Sequence, residues 1–152
     1  MASYFNLFFA IVISLAILFP ITIIGTDFVV GDSSGWTVNY NYTAWAQGKK
    51  FYVGDKLVFN YPKGSHNVFK VNGTAFANCT KPSLDLAMTS GNDVITLAAE
   101  GKKWYICGVA NHCSELNQKL VIDVSSASRF SSMSGLHLAV LAMTAILAVV
   151  LA

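Results

Sequence analysis

Downstream of Asp27 the chain alternates between short β-favouring runs and turn residues. Phe28-Val29-Val30 runs into Gly31-Asp32. Lys56 to Tyr61 lies between Gly54-Asp55 and Pro62-Lys63-Gly64, and inside it Leu57, Phe59 and Tyr61 alternate with Val58 and Asn60. His66 to Val71 stops at Asn72-Gly73, Asp93 to Leu97 follows Gly91-Asn92, Lys103 to Cys107 stops at Gly108, and Lys119 to Val124 ends in serines. Successive side chains of a strand point to opposite faces, so runs of this length and spacing predict an all-β sandwich or barrel. Only Tyr42 to Gln47 and Ala75 to Cys79 read as helical turns, one or two short helices at most. Trp36, Trp45, Phe51, Phe59 and Phe69 are the expected core. There is no internal repeat.

The two ends carry a different pattern. All ten Lys/Arg and all eight Asp/Glu fall between Asp27 and Arg129, although 54% of the 152 residues are hydrophobic. Residues 26–124 are thus expected to form one domain around one core. Phe5 to Ile24 is an apolar run followed by the small Gly25 and Thr26, which reads as a secretory signal over residues 1–25, although no Lys or Arg precedes the run. Ser125 to Ser128 are small residues, and 125–135 form a serine-rich linker. Residues 136–152 are apolar except for His137 and Thr144. Small residues, polar spacer and apolar tail make the pattern of a glycosylphosphatidylinositol signal whose tail is removed, with Ser126 as the expected attachment residue. The protein is then expected on the outer face of the plasma membrane, facing the extracellular space. In that compartment Asn41, Asn72 and Asn78, each two residues before a Thr, are glycosylation acceptors; Asn78 is the weakest because Cys79 stands inside its motif. No apolar run in the middle could span a bilayer, and a net charge of +2 leaves no basic patch for nucleic acid. A monomer is expected.

Cysteine and histidine are scarce, and that scarcity focuses the chemistry. The cysteines are Cys79, Cys107 and Cys113, so one disulfide leaves one thiol over. Cys107 ends an apolar run, His112 follows five residues later, and His66 opens another run. A soft thiolate with two imidazoles suits copper, because the thiolate stabilises Cu(I) and imidazole binds both oxidation states. The same residues could hold zinc, although structural zinc generally takes four strong ligands. Gly31-Asp32-Ser33-Ser34-Gly35 matches a Gly-x-Ser-x-Gly elbow, but Trp36-Thr37-Val38 follows it in place of a helix, so it reads as a turn. Lys49-Lys50 and Lys102-Lys103 read as solvated turns.

Five segments together resemble the phytocyanins, plant blue copper proteins: FVVGDSSGWT (Phe28 to Thr37), YTAWAQGKKFYVGDKLVFNY (Tyr42 to Tyr61), HNV (His66 to Val68), the region of Phe76 and Cys79, and WYICGVANHC (Trp104 to Cys113). The resemblance covers Asp27 to Val124. It implies a cupredoxin-like Greek-key sandwich and one Cu(I)/Cu(II) ion held by His66, Cys107 and His112. It also implies a Cys79–Cys113 disulfide and a non-enzymatic role as a one-electron carrier. The redox partner, protein or small molecule, is left unnamed. The sequence departs from the family pattern after Cys113, where Ser114-Glu115-Leu116-Asn117-Gln118-Lys119 is one residue longer and lacks the usual glycine. Asn117 keeps the family's spacing from His112, whereas Gln118 keeps the place before Lys119. Gln118 is the preferred axial ligand, since Asn117 can adopt the left-handed backbone of the missing glycine. No methionine lies in this loop, so the resemblance points to the stellacyanin-like type. Some members of the family have lost the copper ligands, which keeps a structural or recognition role at the cell surface, or copper buffering, as the rival reading.

Overall fold

The computed structural model describes residues 25–126. Most of the expected signal segment, the linker beyond Ser126 and the apolar tail lie outside these residues. Seven strands form two sheets. The first has the order β1 (Asp27–Val29), β3 (Lys56–Asn60), β5 (Asn92–Thr96); β1 runs parallel to β3 and β5 antiparallel to it. The second has the order β2 (Phe51–Tyr52), β7 (Lys119–Ser125), β6 (Gly101–Ile106), β4 (Phe69–Val71), with β2 parallel to β7 and the other pairs antiparallel. Two short helices, α1 (Tyr42–Ala46) and α2 (Gly73–Asn78), complete the expected all-β, cupredoxin-like sandwich.

The alternation in the sequence is the alternation of burial. In β3, Leu57 and Phe59 are buried between more exposed neighbours, and in β7 Leu120, Ile122 and Val124 do the same from the opposite sheet. Trp36, Trp45, Phe51 and Phe59 join this core as expected, whereas Phe69 belongs to a second cluster with Ile106 and Cys113. That cluster packs against Phe76 and Cys79 of the α2 region. The four-stranded sheet is therefore covered on both faces, which is why consecutive residues Tyr105 and Ile106 of β6 are both fully buried.

Three expectations are corrected. β2 is absent from the sequence reading, being two residues long and paired with the distant β7. The strand expected from His66 begins only at Phe69, because the preceding residues spend their hydrogen bonds elsewhere: Asn67 Oδ1 accepts from Gly108 N–H at 2.7 Å and the Asn67 carbonyl accepts from Trp36 Nε1 at 3.0 Å. The second helix starts two residues earlier than expected, at Gly73, because Asn72 Oδ1 accepts from Ala75 N–H at 2.8 Å and caps it. Among the described residues no helix is long and apolar enough to cross a membrane.

Candidate metal centre

One end of the sandwich gathers the chemistry. β6 and β7 form a hairpin whose last strand pair is Ile106 with Lys119, and Cys107 N–H still donates to the Gln118 carbonyl at 3.0 Å. Between them, residues 108–117 loop out. His112 N–H donates to the Val109 carbonyl at 3.0 Å, Glu115 N–H to the Asn111 carbonyl at 3.0 Å, and Gln118 N–H returns to the His112 carbonyl at 2.8 Å. These bonds coil the loop so that His112 comes back over Cys107. From the other side, the connection from β3 to β4 delivers His66, steadied by Ser65 N–H on the Pro62 carbonyl at 3.0 Å.

The outcome is a cluster of His66, Cys107 and His112 whose ligand atoms all lie within 4.8 Å of one another. The two Nδ1 atoms are 3.1 Å apart, and Cys107 Sγ is 3.5 Å from His112 Nδ1. Metal bonds to imidazole nitrogen and thiolate sulfur of about 2.0–2.3 Å span such separations. Cys107 is buried and outside any disulfide, while both histidines are half-buried. Burial pushes the Cys107 thiol pKa up, opposed by hydrogen bonds from the backbone N–H groups of Asn67 and Val109. The His66 pKa is lowered, first by burial and then by neighbouring His112, so its imidazole is held neutral and ready to donate a lone pair.

Gln118 lies beside the cluster in the chain and is 0% exposed, and neither its Oε1 nor its Nε2 has a hydrogen-bond partner among the described residues. A buried amide without a partner is costly, so an orphaned pair of this kind marks a place where another group is meant to bind. Asn117, the alternative, is exposed and sits at φ 55°, the left-handed conformation that a glycine would otherwise supply. Cys79 and Cys113 form a disulfide with Cα atoms 5.7 Å apart, tying the end of α2 to the residue after His112. Asn41, Asn72 and Asn78 are exposed, and Ser126 is exposed at the end of the described chain.

Sequence reading missed the supporting residues. Asn67 bridges the two ligand loops, and its one signal was its place directly after His66. Tyr61, packed edge-on to the His66 ring at 6.2 Å between centroids, is held by hydrogen bonds to Asp93 and to the Met88 carbonyl. Lys81 Nζ donates to the Gly108 carbonyl at 3.3 Å. Lys81 carried no local signal and Tyr61 only that of its place in the Leu57–Phe59–Tyr61 alternation, because their partners are far away in the sequence.

Known proteins resemble this chain in sequence and fold. The plastocyanin-like domain family matches residues 36–117. Blue copper protein 1b of Medicago truncatula is 56% identical over 112 residues, covering 74% of this chain and 69% of that protein. A blue copper protein of Petunia hybrida is 62% identical over 102 residues, or 67% of this chain, but the chain spans only 38% of that protein's length. Among solved structures, the Cu(II) form of cucumber stellacyanin aligns with a TM-score of 0.62 at 33% identity, over 70% of this chain and all of the other. The chain belongs to the phytocyanins, the plant blue copper proteins of the plastocyanin-like family.

Proposed function

We propose that this protein is an extracellular one-electron carrier with a single type 1 copper ion, which His66, Cys107 and His112 would hold with Gln118 as a fourth, weaker ligand. The observation that carries the reading is the convergence of one buried thiol and two half-buried imidazoles within 4.8 Å. The donor set fits the ion: sulfur suits Cu(I) and neutral imidazole suits both states. When bound, the ion supplies a Cu(I)/Cu(II) couple. Everything else is the work of the chain. The Asn67 and Val109 N–H groups stabilise negative charge on Cys107 Sγ. Tyr61 packs against the His66 ring, and the coiled loop holds His112. The fully buried Gln118 offers an amide oxygen, a harder donor than a thioether, which favours Cu(II) and lowers the reduction potential. With the ion bound, the half-buried imidazole edges of His66 and His112 would be the way in and out for the electron, and no substrate is transformed.

The same reading places residues 1–25 as a removed secretory signal, 26–124 as the copper domain, 125–135 as the linker with a lipid anchor at Ser126, and 136–152 as the removed tail. It takes Asn41, Asn72 and Asn78 as glycan acceptors. The exposed serines at the end of β7 and the exposed acceptors support it. The test is the visible absorption of the secreted protein loaded with Cu(II), beside Cys107→Ser. An intense blue thiolate-to-copper band that the variant lacks is the expected result. A folded, disulfide-bonded protein without that band would overturn the copper reading and leave a structural role at the cell surface.

A further inference from the structure

His66 and His112 are held by different means. The coiled loop fixes His112 through backbone hydrogen bonds at its own N–H and carbonyl. His66 stands in a connection outside any named strand, and among the described residues its ring makes one polar contact, Nδ1 with His112 Nδ1 at 3.1 Å. A metal-bound imidazole is ordinarily oriented by a carboxylate, a carbonyl or a water on its other nitrogen. No protein group among the described residues takes that place on His66. We propose that Asp93 is a positioning residue of this centre: its buried carboxylate sets the Tyr61 ring, and that ring sets the orientation of the His66 imidazole. The inference rests on the copper reading above and deepens it.

The connection can be followed atom by atom. The Tyr61 and His66 rings meet edge-on, at 6.2 Å between centroids and 73° between planes. Tyr61 is buried, and its hydroxyl faces two acceptors, the Asp93 carboxylate and the Met88 carbonyl at 3.0 Å. Asp93 lies on β5 and is buried as well. Its Oδ2 takes the Tyr61 hydroxyl, while Oδ1 accepts from Ser90 Oγ at 2.6 Å and from Ser90 N–H at 3.3 Å. Ser90 Oγ accepts in turn from Asn92 N–H at 3.1 Å. Both carboxylate oxygens are therefore committed, one to the turn before β5 and one to the phenol. Met88 closes the frame, since its backbone exchanges two hydrogen bonds of 3.0 Å with Val68, two residues beyond His66.

A buried carboxylate is costly unless hydrogen-bonded, and one so held gives direction to what it binds. Asp93 stands opposite Phe59 in the sheet, on the side of β5 that faces the core. The one other buried carboxylate among the described residues is Asp55, which accepts from Thr26 N–H and Tyr52 N–H at 2.8 Å each. Asp55 precedes the start of β3, whereas Tyr61 follows its end, so Asp55 lies at the end of the sandwich away from the metal centre. It is the internal control.

The test compares the secreted wild type with Tyr61→Phe, Asp93→Ala, Asp93→Asn and Asp55→Asn. Tyr61→Phe keeps the ring and removes its hydroxyl. Asp93→Asn keeps an acceptor oxygen and loses the charge, which separates placement from charge. The metal-free proteins are read first, by nuclear magnetic resonance of the His66 ring protons. Their cross-relaxation with the ring at position 61 should persist in wild type, Asp93→Asn and Asp55→Asn, and should weaken, with broadened His66 signals, in Tyr61→Phe and Asp93→Ala. With Cu(II) added, those same two variants should shift the blue band and raise the Cu(II) Kd by roughly twofold to tenfold, the factor carried by one net hydrogen bond. Asp55→Asn should lower Tm and leave band and Kd unmoved. His66 signals in Tyr61→Phe and Asp93→Ala that match wild type would overturn the inference. So would a band and Kd that move no more than in Asp55→Asn, or an Asp93→Asn variant that behaves like Asp93→Ala. Should Asp93→Ala fail to fold, Tyr61→Phe decides. If wild type gives no blue band the copper reading falls, and the metal-free signals alone decide the positioning.

Discussion

Gln118→Leu has opposite expected effects in the metal-free and copper-loaded protein. The wild-type side chain is fully buried, with both amide atoms unpartnered among the described residues. Such a group costs about 1–3 kcal/mol relative to one that is satisfied. Leucine removes both polar atoms, and repacking a near-isosteric apolar side chain costs under about 1.5 kcal/mol. The metal-free variant should therefore be more stable by about 1 kcal/mol, a rise in Tm of roughly 4–8 °C for a domain of about 100 residues. With Cu(II) present the sign changes. Each tenfold loss of affinity removes about 1.4 kcal/mol of copper-linked stabilisation, so the rise in Tm on adding Cu(II) should shrink. The reduction potential should climb as well, by about 59 mV for every tenfold by which Cu(II) binding weakens relative to Cu(I). Paired calorimetric melts and a redox titration of the two proteins check this. A metal-free Leu variant that melts several degrees below wild type would mean that the Gln118 amide is satisfied after all, and would refute its reading as a waiting ligand.

Three further outcomes follow from the geometry. Replacing Cys79 and Cys113 together by alanine frees a loop of sequence separation 34 and should cost about 3–4 kcal/mol in urea titrations; a loss under 1 kcal/mol would show that the contacts of α2 alone hold the loop. Burial and His112 hold the His66 pKa below the usual 6.5, so the unfolded chain takes up a proton that the folded chain resists. The metal-free protein should therefore keep this contribution above pH 6.5 and lose it as pH falls further, seen as a urea midpoint that drops between about pH 7 and pH 5 and drops less in His66→Ala. A Cβ at Gly108 would stand 2.4 Å from the buried Phe69 ring, so Gly108→Ala should cost about 1–3 kcal/mol and shift the copper absorption band, since the same residue donates to Asn67 Oδ1; unchanged melts and spectrum would mean the loop gives way freely.

What was legible in the sequence was what is local. β3 and β7 could be read because each alternates over its whole length, and Cys107 with His112 because they share one loop. β2 could not be read, since two residues carry no period and their pairing with Val124 and Ser125 crosses most of the domain. His66 to Val71 looked like one strand because its alternation is real, but Asn67 breaks the ladder by bonding to Gly108, a residue 41 positions away. The Tyr61–Asp93 contact spans 32 positions and left no trace in either segment. The choice between Asn117 and Gln118 was open at the level of spacing. A φ of 55° at the first and complete burial of the second give them different physical roles.

The hairpin of β6 and β7 also bears on how this centre can change over generations. Cys107, His112 and Gln118 all belong to one excursion whose two ends are clamped by adjacent strands, with Cys107 N–H on the Gln118 carbonyl at 3.0 Å as the last rung. Below that rung the strands are paired without a break from Ile106 with Lys119 to Gly101 with Val124. Asn117, left-handed at φ 55°, makes its turn above that rung, outside the paired residues of the two strands. The loop behaves as a replaceable cassette. Three of the four proposed donors could thus be altered within one short stretch of chain, while His66 is rooted in a separate connection.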